Sequence, residues 1–162
     1  MGPVEVKPYP GSSWQKRGKP ERIPARYRRG GTRNLLAALE VETGKVKGKM
    51  FSRKRHQEVI EFFEELRKDY PQDMLYIILD NFSAHKHREV YKWAEEDGRV
   101  ELIFLPTNSA WLNHIEPFFQ NLKRFAVSGS NYKTKQELGE GILSYIDYHN
   151  QKCERASLTK VA

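Results

Sequence analysis

Two acids in this sequence stand where polar chemistry is unexpected. Asp80 directly follows the apolar run MLYIIL (74–79). Glu116 lies in LPTNSAWLNHIEPFFQNLKR (105–124), flanked by Leu112, Ile115, Phe118, Phe119 and Leu122. A carboxylate among apolar groups carries a desolvation cost, so it wants a cation or a hydrogen-bond donor. Two carboxylates brought close together can share divalent metal: Mg2+ prefers carboxylate oxygens and keeps waters, which suits phosphoryl transfer. A third acid would be expected at a two-metal site. Each acid also has a plainer reading. Asp80-Asn81 is ordinary turn chemistry. Glu116 falls with Asn113, Gln120 and Lys123 on one face of a helix, and that face could be no more than a polar stripe.

Three histidines lie near these acids. His85 and His87 form an H-x-H pair after Asp80, and His114 precedes Glu116 by two residues. A zinc site is conceivable, but no cysteine pairs with them, and H-x-H at a helix start is often polar surface. His85 is the better candidate for a group beside a metal-bound water or phosphate. A nucleophilic mechanism has little support: there is no G-x-S-x-G elbow, and Cys153 sits near a polar end. RRGGTRN lacks the spacing of a phosphate-binding glycine loop.

The elements that must position these residues follow from periodicity. Residues 74–79 (MLYIIL) are a continuous apolar run, as expected of a strand buried on both faces, and 100–105 (VELIFL) suggest a second buried strand. The first stops at Asp80, and open α/β sheets place their sites at such strand ends. Residues 85–98 suggest a helix closed by Gly98. A helix between two strands makes them parallel, with a right-handed crossover. Further helices are expected over 112–127 and 134–149, the last opening on a Thr134/Glu137 capping box. Upstream, 34–41 and 45–51 form a hairpin around Glu42-Thr43-Gly44. RKRHQEVIEFFEELRKDYP is an amphipathic helix, with Val59, Phe62, Phe63 and Leu66 on one face and Pro71 beyond its end. The sum is an α/β domain with a mixed sheet. It divides into a basic Pro/Gly-rich segment (1–33), a core (34–150) and a C-terminal tail (151–162). Pro3, Pro8, Pro10, Pro20 and Pro24 leave room only for short extended pieces such as VEVKPY and RIPARYR.

A chain of 162 residues, 38% hydrophobic, is enough for one folded core. A single cysteine suits a reducing cytoplasm, and no apolar run reaches the roughly 18 residues of a membrane span. The expectation is a cytoplasmic protein with no membrane partner. Charge is uneven: residues 1–34 hold nine Lys/Arg against Glu5 and Glu21, which is the whole formal excess of +7. Such a segment beside a neutral body points to a polyanion, nucleic acid being the commonest; the bland reading is a solvated arm.

Together, LYIILDNFSAHK and LIFLPTNSAWLNHIEPFFQNLKR closely resemble the catalytic core of mariner-type DDE transposases of bacterial insertion sequences. In that family a strand ends in Asp-Asn with a His a few residues on. A second strand then runs through a Pro/Ser turn into Leu-Asn-Pro-Ile-Glu. Asp80 and Glu116 match the second and third catalytic acids, with the 35 residues 81–115 between them. PYPGSSWQKRGKP, GGTRNLLAALEVETGKV and YIDYHN are also similar, so the resemblance covers nearly the whole chain.

The resemblance implies a ribonuclease-H-like mixed sheet flanked by helices, Mg2+ or Mn2+ as cofactor, and cleavage and strand transfer on double-stranded DNA. It further implies a homodimer working at element ends and target in the nucleoid. Asp80 and Glu116 would hold the metals, with Asn81, His85 and Asn113 around them. Phosphate contacts would come from Lys16, Arg17, Lys19, Arg28, Arg29, Arg33, Lys86, Lys123 and Arg124. Two departures stand out. His114 replaces a usual Pro, and the family's first catalytic Asp ends a strand just upstream of the stretch aligned with Met1-Gly2-Pro3. The expectation is therefore a core without its first strand and first acid, weak or inactive in nicking alone. The alternative is a non-catalytic DNA-binding or assembly module derived from a transposase; a metal-independent interaction domain is a third reading.

Overall fold

A computed structural model of the chain describes residues 2–11, 16–19, 27, 29–107 and 109–159. The chain divides into two compact units: Met1–Ser52 with Pro117–Ala162, and Arg53–Glu116.

The first unit is built on the expected hairpin. β1 (Val4–Glu5), β2 (Thr32–Leu39) and β3 (Val46–Phe51) form an antiparallel sheet in the order β1-β2-β3. Leu35 faces Met50 and Ala37 faces Gly48 across the hairpin. Its turn works because Gly44 takes φ 72, a left-handed conformation that costs glycine little, and donates its N–H to Glu40 O at 2.8 Å. The long helix α4 (Lys135–Thr159) packs on β2 and β3. Gly48 makes room for it: a Cβ there would lie 2.4 Å from Ile146 Cδ1. Leu35, Val46, Leu122, Leu138 and Ile142 fill the core between them. Most of RIPARYR lies outside the described residues, Tyr27 excepted.

α4 starts as expected, with Thr134 Oγ1 accepting from Glu137 N–H at 3.1 Å and Glu137 Oε2 accepting from Lys133 N–H at 2.9 Å. It continues to Thr159 rather than ending near 149. Polar residues hold the extra turns to the hairpin. The Asn150 side chain bonds both N–H and C=O of Val46 at 2.8 Å, and Cys153 Sγ lies 3.5 Å from Gly44 O. Apolar periodicity carries no trace of such contacts.

The expected helix over 112–127 is broken into pieces. Ala110–Leu112 forms a 3-10 turn, α3 spans Glu116–Leu122, and Lys123–Val127 is a π-helical turn. Pro117 explains the start: it has no N–H to donate and is tolerated only in a first turn. Asn113 therefore precedes the helix, and the single polar face of 113, 116, 120 and 123 does not form.

In the second unit, α1 (His56–Asp69) buries Val59, Phe62, Phe63 and Leu66, as its periodicity requires. β4 (Leu75–Leu79) and β5 (Val100–Phe104) pair in parallel through α2 (Arg88–Asp97), which ends on Gly98 at φ 70. One expectation fails here. Neither strand is buried on both faces: Tyr76, Ile78 and Ile103 are exposed while Leu79 is buried. A run that is apolar on both faces cannot say which face α2 will cover.

Arg67 ties the unit together. Its guanidinium holds Asp97 through both carboxylate oxygens and donates to the carbonyls of Tyr70, Asp73 and Arg99, each at 2.8 Å. α/β class, hairpin and parallel crossover pair are thus as expected, with antiparallel and parallel strands in two separate sheets. No helix among the described residues is long and apolar enough to cross a membrane.

Candidate metal centre at the end of β4

Parallel pairing runs out where the chemistry begins. Leu105 N–H donates to Leu79 O at 2.9 Å, and two residues beyond Leu79, Asn81 Nδ2 donates to Leu105 O at 2.7 Å. The two strand ends are therefore pinned to each other just where Asp80 leaves the sheet. Asp80 Oδ1 accepts from Phe82 N–H at 3.1 Å, the turn chemistry its sequence suggested. It also sits 2.9 Å from His85 Nδ1, which the turn reading does not require. Asp80 keeps 51% of its side chain exposed and His85 only 12%, so the imidazole backs a carboxylate that faces solvent. The His85 hydrogen bond, with the Phe82 N–H and the charge of Lys54, outweighs partial burial and lowers the Asp80 carboxyl to about 2.

Lys54, half-buried just ahead of α1, is the residue that sequence reading missed. Its Nζ lies 4.5 Å from the centroid of the Phe82 ring. Burial lowers its ammonium pKa, while the charges of Asp80 and of Glu116 both oppose that shift. Both acids thus act on one ammonium. In sequence Lys54 is the middle of an Arg-Lys-Arg run and looks like any solvated basic residue. Only the fold singles it out.

Glu116 is half-buried and opens α3, its N–H donating to Asn113 O at 3.0 Å. Asn113 is half-buried in the preceding loop, and His114 is exposed. Of the expected neighbours, His85 meets Asp80 directly, whereas Asn81 serves the strand ends. His87 goes elsewhere: it stacks on His56 at 3.6 Å and accepts from Glu89 N–H at 3.3 Å, capping α2. A zinc ligand set from the H-x-H pair would need both rings on one ion, and here they have separate partners.

Among the described residues, no three His, Cys, Asp or Glu side chains gather as a metal cluster. The acid pair nonetheless offers the donor chemistry that Mg2+ and Mn2+ prefer, since those ions complete their shells with water and substrate phosphate around one or two carboxylates.

The basic candidates differ from one another. Lys16, Arg17 and Lys19 are exposed, and Arg28 lies outside the described residues. Arg29 pairs with Glu5 at 3.3 Å, and Arg33 donates to Ser52 Oγ at 2.8 Å. Lys86 sits over Phe104 and Arg124 over Phe125, while Lys123 is exposed on the π-helical turn.

Comparison with known proteins bears on the family and the fold. Residues 2–139 match the family described as DDE superfamily endonuclease. A 39 kDa uncharacterized protein of insertion element IS630 from Shigella sonnei is 30% identical over 122 residues; these are 74% of this chain but 35% of that relative. The chain thus spans about a third of the length of the curated relative it matches. In fold it resembles Mos1 transposase, solved as a paired-end complex with the left transposon end. There the TM-score is 0.57 at 16% identity, over 94% of this chain and 52% of that one. It also resembles a chain of the simian T-cell lymphotropic virus intasome, solved with the PP2A regulatory subunit B56 gamma. That likeness has a TM-score of 0.51 at 14% identity, over 70% of this chain and 42% of the other. The fold is accordingly the ribonuclease-H-like one of transposase and intasome domains.

Proposed function

We propose that this chain, which belongs to the DDE superfamily endonucleases, cuts and rejoins phosphodiester bonds at the ends of a mobile DNA element, with Asp80 and Glu116 as divalent-metal ligands. A transposase-type endonuclease domain is the common denominator of the family match, the insertion-element relative and the shared fold. The observation that supports the finer reading is the Asp80 carboxylate held at the strand end by His85 at 2.9 Å, with the charges of Asp80 and Glu116 both favouring the half-buried Lys54 ammonium.

The residues then have distinct tasks. Asp80 is presented ionised, with His85 and the Phe82 N–H fixing its orientation. Asn81 locks the end of β4 to the end of β5, so the carboxylate rides on a rigid support. Glu116 is carried by the first turn of α3. A bound Mg2+ or Mn2+ would supply Lewis-acid activation of the attacking oxygen and neutralise charge on the phosphate. Exposed Lys16, Arg17, Lys19, Lys123 and Arg124 would hold the DNA backbone without reading its sequence. Asn113 is assigned to the rim of the same site. The partners are duplex element ends and target DNA, handled by a homodimer.

The test is nicking of supercoiled plasmid in Mn2+. Slow, metal-dependent nicking is expected, lost in both Asp80→Asn and Glu116→Gln; nicking that survives both substitutions would overturn the assignment. A second reading, a non-catalytic DNA-binding or assembly module, is favoured by the lack of a three-residue metal cluster among the described residues. It requires that removing either acid leave DNA affinity unchanged or higher, while charge reversal across residues 16–33 abolishes it.

A further inference from the structure

The Arg53-Lys54-Arg55 run splits by partner. Arg53 is exposed, and Arg55 turns to Glu58, its Nη2 2.7 Å from Oε1. Lys54 alone turns inward, onto the Phe82 ring. That ring is not free to drift. Phe82 N–H is bonded to Asp80 Oδ1, and its ring meets His85 edge-on at 5.4 Å. Cation, aromatic ring and carboxylate are therefore one connected group, and a cation over a ring is held there by the ring's quadrupole. A half-buried ammonium needs such partners, since losing water disfavours its charge. The charges of the two acids proposed as metal ligands, Asp80 and Glu116, both favour its charged form against that burial.

We propose that Lys54 is the built-in counter-cation beside Asp80 and Glu116, anchored on the Phe82 ring, offsetting the charge of the two carboxylates before metal arrives and weakening their hold on the incoming ion. This rests on the reading of those acids as metal ligands. Coulomb's law fixes the direction. A unit positive charge anchored beside a divalent site repels the incoming ion, and the repulsion is smaller in salt. Lys54 is thus a positioning residue: it acts through the acids and touches no reacting atom.

The experiment is a titration of the whole chain with Mn2+ at low ionic strength, free ion being followed by electron paramagnetic resonance. Lys54→Met and Lys54→Gln should bind Mn2+ about tenfold more tightly than wild type, from a unit charge removed a few ångströms from a double one with solvent screening. Lys54→Arg, which keeps the charge, should restore the wild-type affinity. Lys68→Met, at an exposed lysine of α1, should also match wild type and so account for any loss of general charge. Unchanged or weaker binding in Lys54→Met overturns the proposal while leaving the acids as metal ligands. If neither wild type nor Lys54→Met binds Mn2+, the inference and the proposed function fall together.

Discussion

At the residue scale, Asp80 shows how a turn aspartate becomes a candidate ligand. Its Asx-type bond to Phe82 N–H was legible in Asp80-Asn81, because local hydrogen bonding depends only on neighbours in the chain. The His85 contact was legible as a spacing but not as a bond, since it depends on the turn over residues 82–86. Lys54 was not legible at all; the ring it sits over, Phe82, lies in the turn after β4, remote in sequence. The depressed Asp80 pKa has a checkable sign. A carboxyl held below its unfolded value of about 3.9 stabilises the fold above that pH, and this contribution is lost as pH falls from about 4 towards 2. In His85→Ala the leading cause disappears, so carbon-detected titration of the carboxyl should show it move up from about 2 towards the ordinary range. An unmoved Asp80 would mean that His85 does not hold it.

At the element scale, the amphipathic α1, the β2–β3 hairpin and the β4–α2–β5 crossover were all readable, because each is written in a local period or turn residue. α3 was misjudged because apolar spacing runs straight through residues 112–127, while Pro117 and the loop before Glu116 reset the helix start. That shift moves Glu116 from a mid-helix stripe to a first turn. The Arg67 hub was equally invisible: its partners, from Tyr70 to Arg99, are set by where α1, α2 and β5 end. Because Arg67 and Asp97 are largely enclosed, Arg67→Met should cost about 2–3 kcal/mol by urea denaturation. Arg67→Lys should recover little, because an ammonium lacks the planar fork that binds Asp97 and three carbonyls at once. Full recovery in the lysine variant would reduce the hub to simple charge pairing.

At the scale of the whole molecule, family and fold class were legible because two short motifs with fixed spacing recur in a strand-end aspartate and a helix-start glutamate. The basic segment was legible as charge but not as surface. Arg29 and Arg33 have protein partners, while Lys16, Arg17 and Lys19 face solvent. The central claim joins both scales: two carboxylates from separate elements form one divalent-metal site. Mn2+ titration of wild type beside Asp80→Asn and Glu116→Gln tests it most directly. Saturable binding that drops at least about tenfold in each single variant is the predicted result, as expected for loss of one of few ligands. Equal Mn2+ affinity in all three proteins would contradict it.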